Sequence, residues 1–300
     1  MVYATPVTTT TAAKFIGQVW SDGCLEAIEF ASLLQKRVVR DYEGDIKKSG
    51  NTVHIPRLSN LPTQTKTAAT DITFTAITEG EQVLTVSTHE YAAFQLESIV
   101  QVQSNYDLLT KYQKKIGYAL ARGREVTLAT LVSGFTQTVG TLGVELTADD
   151  YNSAWSLLAQ AGLLEASPDP GDEFTIALSA QAYAAILKVD TFVNQDYNPA
   201  NGGAAISRAK IGDIFGAPVF MSNLLVVPAA GQHNALMFHK SHLALAVQHE
   251  VPVKSMYMIQ ALSDAVVGHN IYGSMELSFP PETPGGGAAT DNRGVWLKTV

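Results

Sequence analysis

Apolar residues recur at intervals of three, four or five from Ser104 to about Phe135: Leu109, Tyr112, Ile116, Leu120, Gly123, Val126 and Leu131. That spacing draws one stripe along an α-helix. Ser104 is placed to cap its N-terminus, Asp107 to favour the first-turn amides, and Gly134 to stop it. At about 1.5 Å per residue the helix would run roughly 45 Å. Lys111, Lys114, Lys115, Arg122 and Arg124 fall on its other face. A helix of that length would outrun a compact core and reads as a spine.

A different period governs residues 50–90. Val53 and Ile55 alternate with polar neighbours, and Leu84 and Val86 alternate with Val83, Thr85 and Ser87, as strands do. The intervening SNLPTQTKTAATDITFTAITEG is rich in threonine and poor in large apolar side chains. A two-stranded ribbon is marginal in water, and a forty-residue loop inside a compact domain is rare. The stretch reads either as a mobile surface loop or as an extended hairpin laid across a neighbouring subunit. Its strand alternation favours the second.

The remaining elements are shorter. Residues 1–20 form a threonine-rich arm, and Asp22 caps a short helix bearing Leu25, Ile28, Leu33 and Leu34. Val38, Val39 and Tyr42 suggest a strand, and residues 91–100 another that leads into the spine. Thr147 and Asp150 form a capping box for a helix with Tyr151, Ala154, Trp155, Leu158 and Ala161 on its stripe and Gly162 at its end. A turn cluster at 167–172 precedes a strand at 174–178, a helix at 180–188 and a polar loop to about Arg208. Strands follow near 211–215, 219–221, 235–238, 251–259 and 264–277. After the flexible PPETPGGGAAT, the closing VWLKTV reads as an edge strand. Helices and strands mix without regular β-α-β alternation, which predicts an α+β fold.

Composition narrows the function. At 46% hydrophobic and 16% charged, 300 residues can bury a substantial core, and length suggests about two domains. A net charge of −8 argues against tight generic nucleic-acid binding. The lone Cys24 excludes a disulfide framework and reads as a small buried apolar residue. No signal-peptide pattern and no apolar run of membrane-spanning length is evident, so the expectation is a soluble, intracellular protein without a membrane partner.

Candidate chemistry is thin. His239, His242 and His249 are close in sequence, but an i,i+3 pair in or beside a strand points its rings to opposite faces, and no cysteine completes a zinc set. Gly202, Gly203, Gly212 and Gly216 match no phosphate-binding loop. Ser133 and Ser274 lack a nucleophile elbow, and Asp149–Asp150 is accounted for by a helix N-terminus. The expectation is therefore no catalytic residue, no metal and no cofactor.

The run at 182–225 carries Gly212, Ile214, Gly216, Val219, Ser222 and Asn223 in a G-x-I-x-G-x-x-V-x-x-S-N pattern. Together with GNTVHIP at 50–56 and SMYMIQALSDAVVGHNIYGSMEL at 255–277, it resembles the major capsid proteins of tailed bacteriophages, of the Hong Kong 97 type. The resemblance implies an N-terminal arm and first helix (1–49), an extended β-hairpin loop (50–90), a peripheral domain with the spine helix (91–146), an axial domain (147–250), and return strands with a tail (251–300). It implies subunit contacts through the extended loop, with Arg57, Lys66, Glu79 and Glu81 as candidates. It further implies pentamers and hexamers around double-stranded DNA in a virion assembled in the host cytoplasm, a portal, and a separate scaffolding protein, since only about twenty residues precede the first helix. DNA contact would be weak and non-specific, through Lys14, Lys111, Lys114 and Lys115. The alternatives are an encapsulin-like compartment shell, which resembles the same fold, and a soluble hydrolase using the region from His239 to His249.

Overall fold

The computed structural model describes residues 32–47, 49–57, 61, 63–74, 80–103, 108–161, 173–189, 213–225, 233–278 and 293–299. In chain order its elements are a 3₁₀ turn Leu34–Lys36, α1 (Glu43–Ile46), β1 (Thr52–Arg57), β2 (Gly80–Thr85), β3 (Thr88–Glu97), α2 (Ser98–Gln103) and α3 (Leu108–Thr130). A 3₁₀ turn Leu131–Gly134 extends α3, followed by β4 (Gln137–Val139), α4 (Ala148–Gln160), β5 (Phe174–Leu178), α5 (Ala180–Ile186), β6 (Asp213–Ile214), β7 (Ala217–Met221) and β8 (His233–His239). β9 (Leu243–Met258), β10 (Ser263–Glu276) and β11 (Gly294–Thr299) complete them.

These strands form three sheets. β1 and β2 pair alone; β3, β10 and β9 form an antiparallel sheet in that order; β4-β11-β8-β5-β7-β6 forms a six-stranded mixed sheet. In the last, β5 and β7 are parallel, with α5 in the connection between them, as parallel neighbours require. Helices packed on a mixed sheet beside an antiparallel one fit the α+β expectation.

The six-stranded sheet carries a large buried core. Every residue of β5 is buried, and Phe174, Ile176 and Leu178 meet Tyr151, Ala154 and Leu158 of α4. That helix starts as its sequence demands: Asp150 N–H donates to Thr147 Oγ1, and Thr147 N–H donates to Asp150 Oδ2 at 2.8 Å. In the β6–β7 hairpin, Phe215 and Gly216 both carry positive φ, 53° and 77°, the conformation that two-residue turns need. The non-glycine Phe215 is held there by stacking on Trp155, ring centroids 5.3 Å apart. The glycine-rich pattern is thus a hairpin followed by a stop: Ser222 N–H donates to Leu178 O, and Ser222 Oγ accepts from Leu224 N–H.

The long helix lies over the three-stranded sheet and differs from its sequence reading in which side chains it buries. Its described part, Leu108–Thr130, spans 23 residues, about 34 Å; residues 104–107, with the expected Ser104 cap and Asp107, lie outside the described residues. Its buried side chains are Ile116, Arg124, Glu125, Leu128 and Ala129, continued by Val132 and Phe135. Leu109 and Leu120 are half-buried, while Tyr112 (48%) and Val126 (39%) remain exposed. The first half of α3 covers β3, an edge strand, where Tyr112 meets Phe94. Only the second half reaches the cluster of Leu236, Phe238, Leu243, Leu245 and Tyr272. Arg124, expected on the solvated face, is 9% exposed; Lys114 and Arg122 are exposed as expected.

Other readings need correction. Val38 to Tyr42 is no strand but a bend, a single bridge from Val39 to Ala244 and a turn, lying between the 3₁₀ turn Leu34–Lys36 and α1. Residues 98–100 leave the strand and begin α2. β11 is not an edge: it sits between β4 and β8. The boundary drawn between 250 and 251 falls inside β9, and β11 lies in the sheet built mainly from the segment before that boundary. The helix expected after Asp22 does not include Leu33 and Leu34, which lie at the 3₁₀ turn; its earlier residues, with the arm, Cys24, Gly162, the 167–172 turn cluster, the loop after 189, Gly212 and the glycine-rich tail, lie outside the described residues.

Candidate functional site

The base of the β1–β2 hairpin is built into the fold. Leu84 and Val86 are buried with Ile46, Ala244, Ala246 and Leu277, and Val86 N–H donates to Asn51 O. Gln248 Nε2 donates to the carbonyls of Ile46 and Gly50 at 3.1 and 2.7 Å. Gln82 exchanges hydrogen bonds with the backbone of Ser278, its amide donating to the Ser278 carbonyl and its carbonyl accepting from the Ser278 N–H. The register runs without a slip from Thr52↔Thr85 to Arg57↔Gly80.

Beyond Arg57 and Gly80 the described residues have no such support. Residue 61 and residues 63–74 have no regular structure, and every one of them is exposed. Leu61 (58%), Ile72 (61%) and Phe74 (86%) present apolar surface that this chain does not cover. Of the expected contact residues, Arg57 and Glu81 are engaged at home: Arg57 Nη1 donates to Ser278 Oγ at 3.1 Å, and Glu81 Oε2 lies 3.1 Å from His54 Nδ1. Lys66 is exposed on the excursion, and Glu79 lies outside the described residues. The apolar side chains near the tip were missed, because scattered single residues in a threonine-rich run give no periodic signal.

At the other end of the three-stranded sheet a second apolar surface is open. Ser98 N–H and Oγ both donate to Leu262 O, tying α2 to the β9–β10 turn. Around this junction Ile99 (60%), Val102 (85%), Met256 (69%), Ile259 (79%) and Leu262 (64%) are exposed.

Two polar contacts fix α3 to its surroundings. Tyr272 OH donates to Glu90 Oε1 at 2.9 Å and lies 2.8 Å from Thr127 Oγ1; burial, with Glu90 adding to it, pushes the phenol up to about 12. The second contact is the fully buried Glu125 carboxylate. It accepts from the N–H groups of Leu33 (2.9 Å), Leu34 (2.6 Å) and Gln35 (3.3 Å), so it caps a 3₁₀ turn ninety residues away in sequence. Gln35 Nε2 adds a bond to Ala121 O. Of the expected DNA-facing residues, Lys114 is exposed, Lys111 and Lys115 are half-buried on the same helix, and Lys14 is outside the described residues.

The histidines do not behave as a group. His239 ends β8 and His242 closes a 3₁₀ turn, so the strand geometry assumed for the pair does not apply. His239 Nδ1 accepts from Ser241 N–H, which leaves Nε2 to face Glu173 at 3.2 Å; burial lowers its pKa, against the pull of that carboxylate. His242 is fully buried, edge-on to Phe135 and 3.0 Å from Glu276 Oε1, though not aligned for a hydrogen bond. His249 lies elsewhere, beside His269. Ser133 Oγ donates to Thr130 O, as helix-end serines do. No described helix is long and apolar enough to cross a membrane.

No protein-family model matches this sequence, and no curated protein matches it. Solved structures do. A structure of Mycobacterium phage Che8 matches with a TM-score of 0.73 at 23% identity, over 94% of this chain and 97% of the other. The capsid structure of the cyanophage P-SCSP1u gives 0.73 at 18% identity, over 97% and 94%. The mature capsid asymmetric unit of bacteriophage PhiM1 gives 0.72 at 13% identity, over 95% and 92%. At these identities the likeness is one of fold, and it runs through nearly the whole chain.

Proposed function

We propose that this chain is the structural subunit of an icosahedral head of a tailed phage, assembling as pentamers and hexamers around double-stranded DNA. The observation that carries the reading is the whole-length likeness in fold to subunits of two phage capsids, 95–97% of this chain being covered. In this reading α3 with the three-stranded sheet is the peripheral domain, and the six-stranded sheet is the core of the axial domain.

The physical logic is incompleteness. A fully buried Ile or Phe side chain contributes about 1.5–3 kcal/mol, and the hairpin excursion leaves Ile72 and Phe74 in water. A second copy offers what they lack: the outer face of the three-stranded sheet, where Tyr91 (75%) and Val267 (38%) are exposed, and the apolar surface at its far end. Copies that each extend a hairpin and each receive one close into rings through identical head-to-tail contacts. Such a subunit needs no catalytic centre. Its charge of −8 suits a wall that lies near packaged DNA without gripping it, the few inward cations being Lys14, Lys111, Lys114 and Lys115.

Electron microscopy of the expressed protein tests the reading. Closed shells are the expected result; a monodisperse monomer under all assembly conditions would overturn it. Limited proteolysis adds a local readout, with residues 58–79 cut in free subunits and protected in shells.

A further inference from the structure

The histidines that the fold gathers are not those that lie close in sequence. β3, β10 and β9 are adjacent strands, and Ile271 of β10 is level with His89 on one side and His249 on the other. His269, two residues from Ile271, points to the same face between them. His89 Nε2 stands 3.2 Å from His269 Nδ1, and the ring centre of His249 lies 5.9 Å from that of His269. His89 and His249 are exposed and His269 is half-buried, so all three are reachable from solvent. The helix α3 covers the opposite face, where Glu90 is occupied by Tyr272.

We propose that His89, His249 and His269 form a binding site for a divalent cation of the zinc class. Imidazole suits Zn²⁺, Ni²⁺ and Cu²⁺, whereas Ca²⁺ and Mg²⁺ want oxygen. Zinc–nitrogen bonds of about 2.0–2.1 Å in a tetrahedron set neighbouring ligand nitrogens roughly 3.3 Å apart. The His89–His269 pair already stands at that spacing. A second observation is independent of it. The β9–β10 register shifts twice, between Val267 and His269 and between Ile271 and Tyr272, so irregularities bracket the short segment that carries His269. Bulges of this kind re-aim side chains and concentrate beside functional sites. Among the described residues no three ligands already converge on one point, so His249 completes the set by turning about its side-chain torsions as the ion binds. A cation held there would cross-link all three strands.

The site belongs to the free subunit and does not rest on the shell reading. Chelator-treated full-length protein titrated calorimetrically with zinc chloride should take up about one ion per chain and ignore calcium. His269→Ala should weaken uptake by about tenfold or more, and His249→Asn should weaken it measurably. Zinc should raise the melting temperature of the unmodified protein and leave that of His269→Ala unmoved. If His269→Ala does not fold, the exposed His89→Asn takes its place. No uptake at zinc concentrations on the order of 100 μM, or uptake unchanged in these variants, overturns the proposal. So does a His249→Asn variant that binds like the unmodified protein, because the third ligand is then absent.

Discussion

Strand β5 and the excursion between β1 and β2 show opposite ways of using a chain. β5 is five residues long, all buried, with a strand on each side and α4 and α5 packed around it. The excursion has its base locked by Leu84, Val86 and Gln82, and then presents described residues that are exposed without exception. One region is complete within the chain, and the other has a rooted base whose described residues beyond it rest on nothing in the chain. The contrast teaches that rigidity at the root is what lets an unsupported segment be aimed. A loop with a loose base could not deliver Phe74 to any fixed place.

The largest effect expected is at the complete region. Phe174→Ala should cost about 3–5 kcal/mol in urea unfolding of the free subunit, through lost burial and the cavity left behind. Phe74→Ala should stay within about ±0.5 kcal/mol in the same assay, yet reduce shell yield sharply. Equal destabilisation by both would erase the distinction. Next comes the face of α3: Ile116→Ala should cost about 2–5 kcal/mol, and Lys114→Ala should be close to neutral. Comparable losses from the two would mean that the helix is rotated. Smaller again is Thr147→Ala, about 1 kcal/mol, since it removes one half of a capping box on the helix that covers β5. A loss several times larger would show that α4 depends on its cap more than on its packing. Smallest is the interaction with DNA. Free subunits should bind double-stranded DNA no tighter than about 10⁻⁴–10⁻⁶ M at physiological salt, with affinity falling as salt rises. Nanomolar binding in a fluorescence titration would count against the shell reading itself.

What the sequence disclosed follows from how local each determinant is. The Thr147–Asp150 box and the apolar run of β5 are written in consecutive residues, and both stand where they were expected. The two strands of the hairpin were legible from period-two alternation at Val53, Ile55 and Leu84, whereas their register is set by the pairing itself. The spine was visible as a helix but not in its buried face. Tyr112 and Val126 fit the stripe, yet they are left exposed by what the helix happens to lie against. Glu125 gave no signal at all, because a carboxylate is buried only when its partners are, and those partners are the amides at 33–35. β11 was misplaced for a related reason: strand order is a property of the assembled sheet, and six residues do not carry it. The histidine cluster joins residues 180 apart in sequence, beyond the reach of any spacing argument.

The Glu125 carboxylate also sets a clock. The amide of Leu34 is made 91 residues before the side chain that accepts from it. At a synthesis rate of about 5–20 residues per second, the turn at Leu34–Lys36 waits some 5–18 s for its cap. During that interval it has no stable conformation of its own, a 3₁₀ turn of three residues being too short to persist alone. Residues 33–35 therefore gain this cap only once α3 has been made, well after their own synthesis.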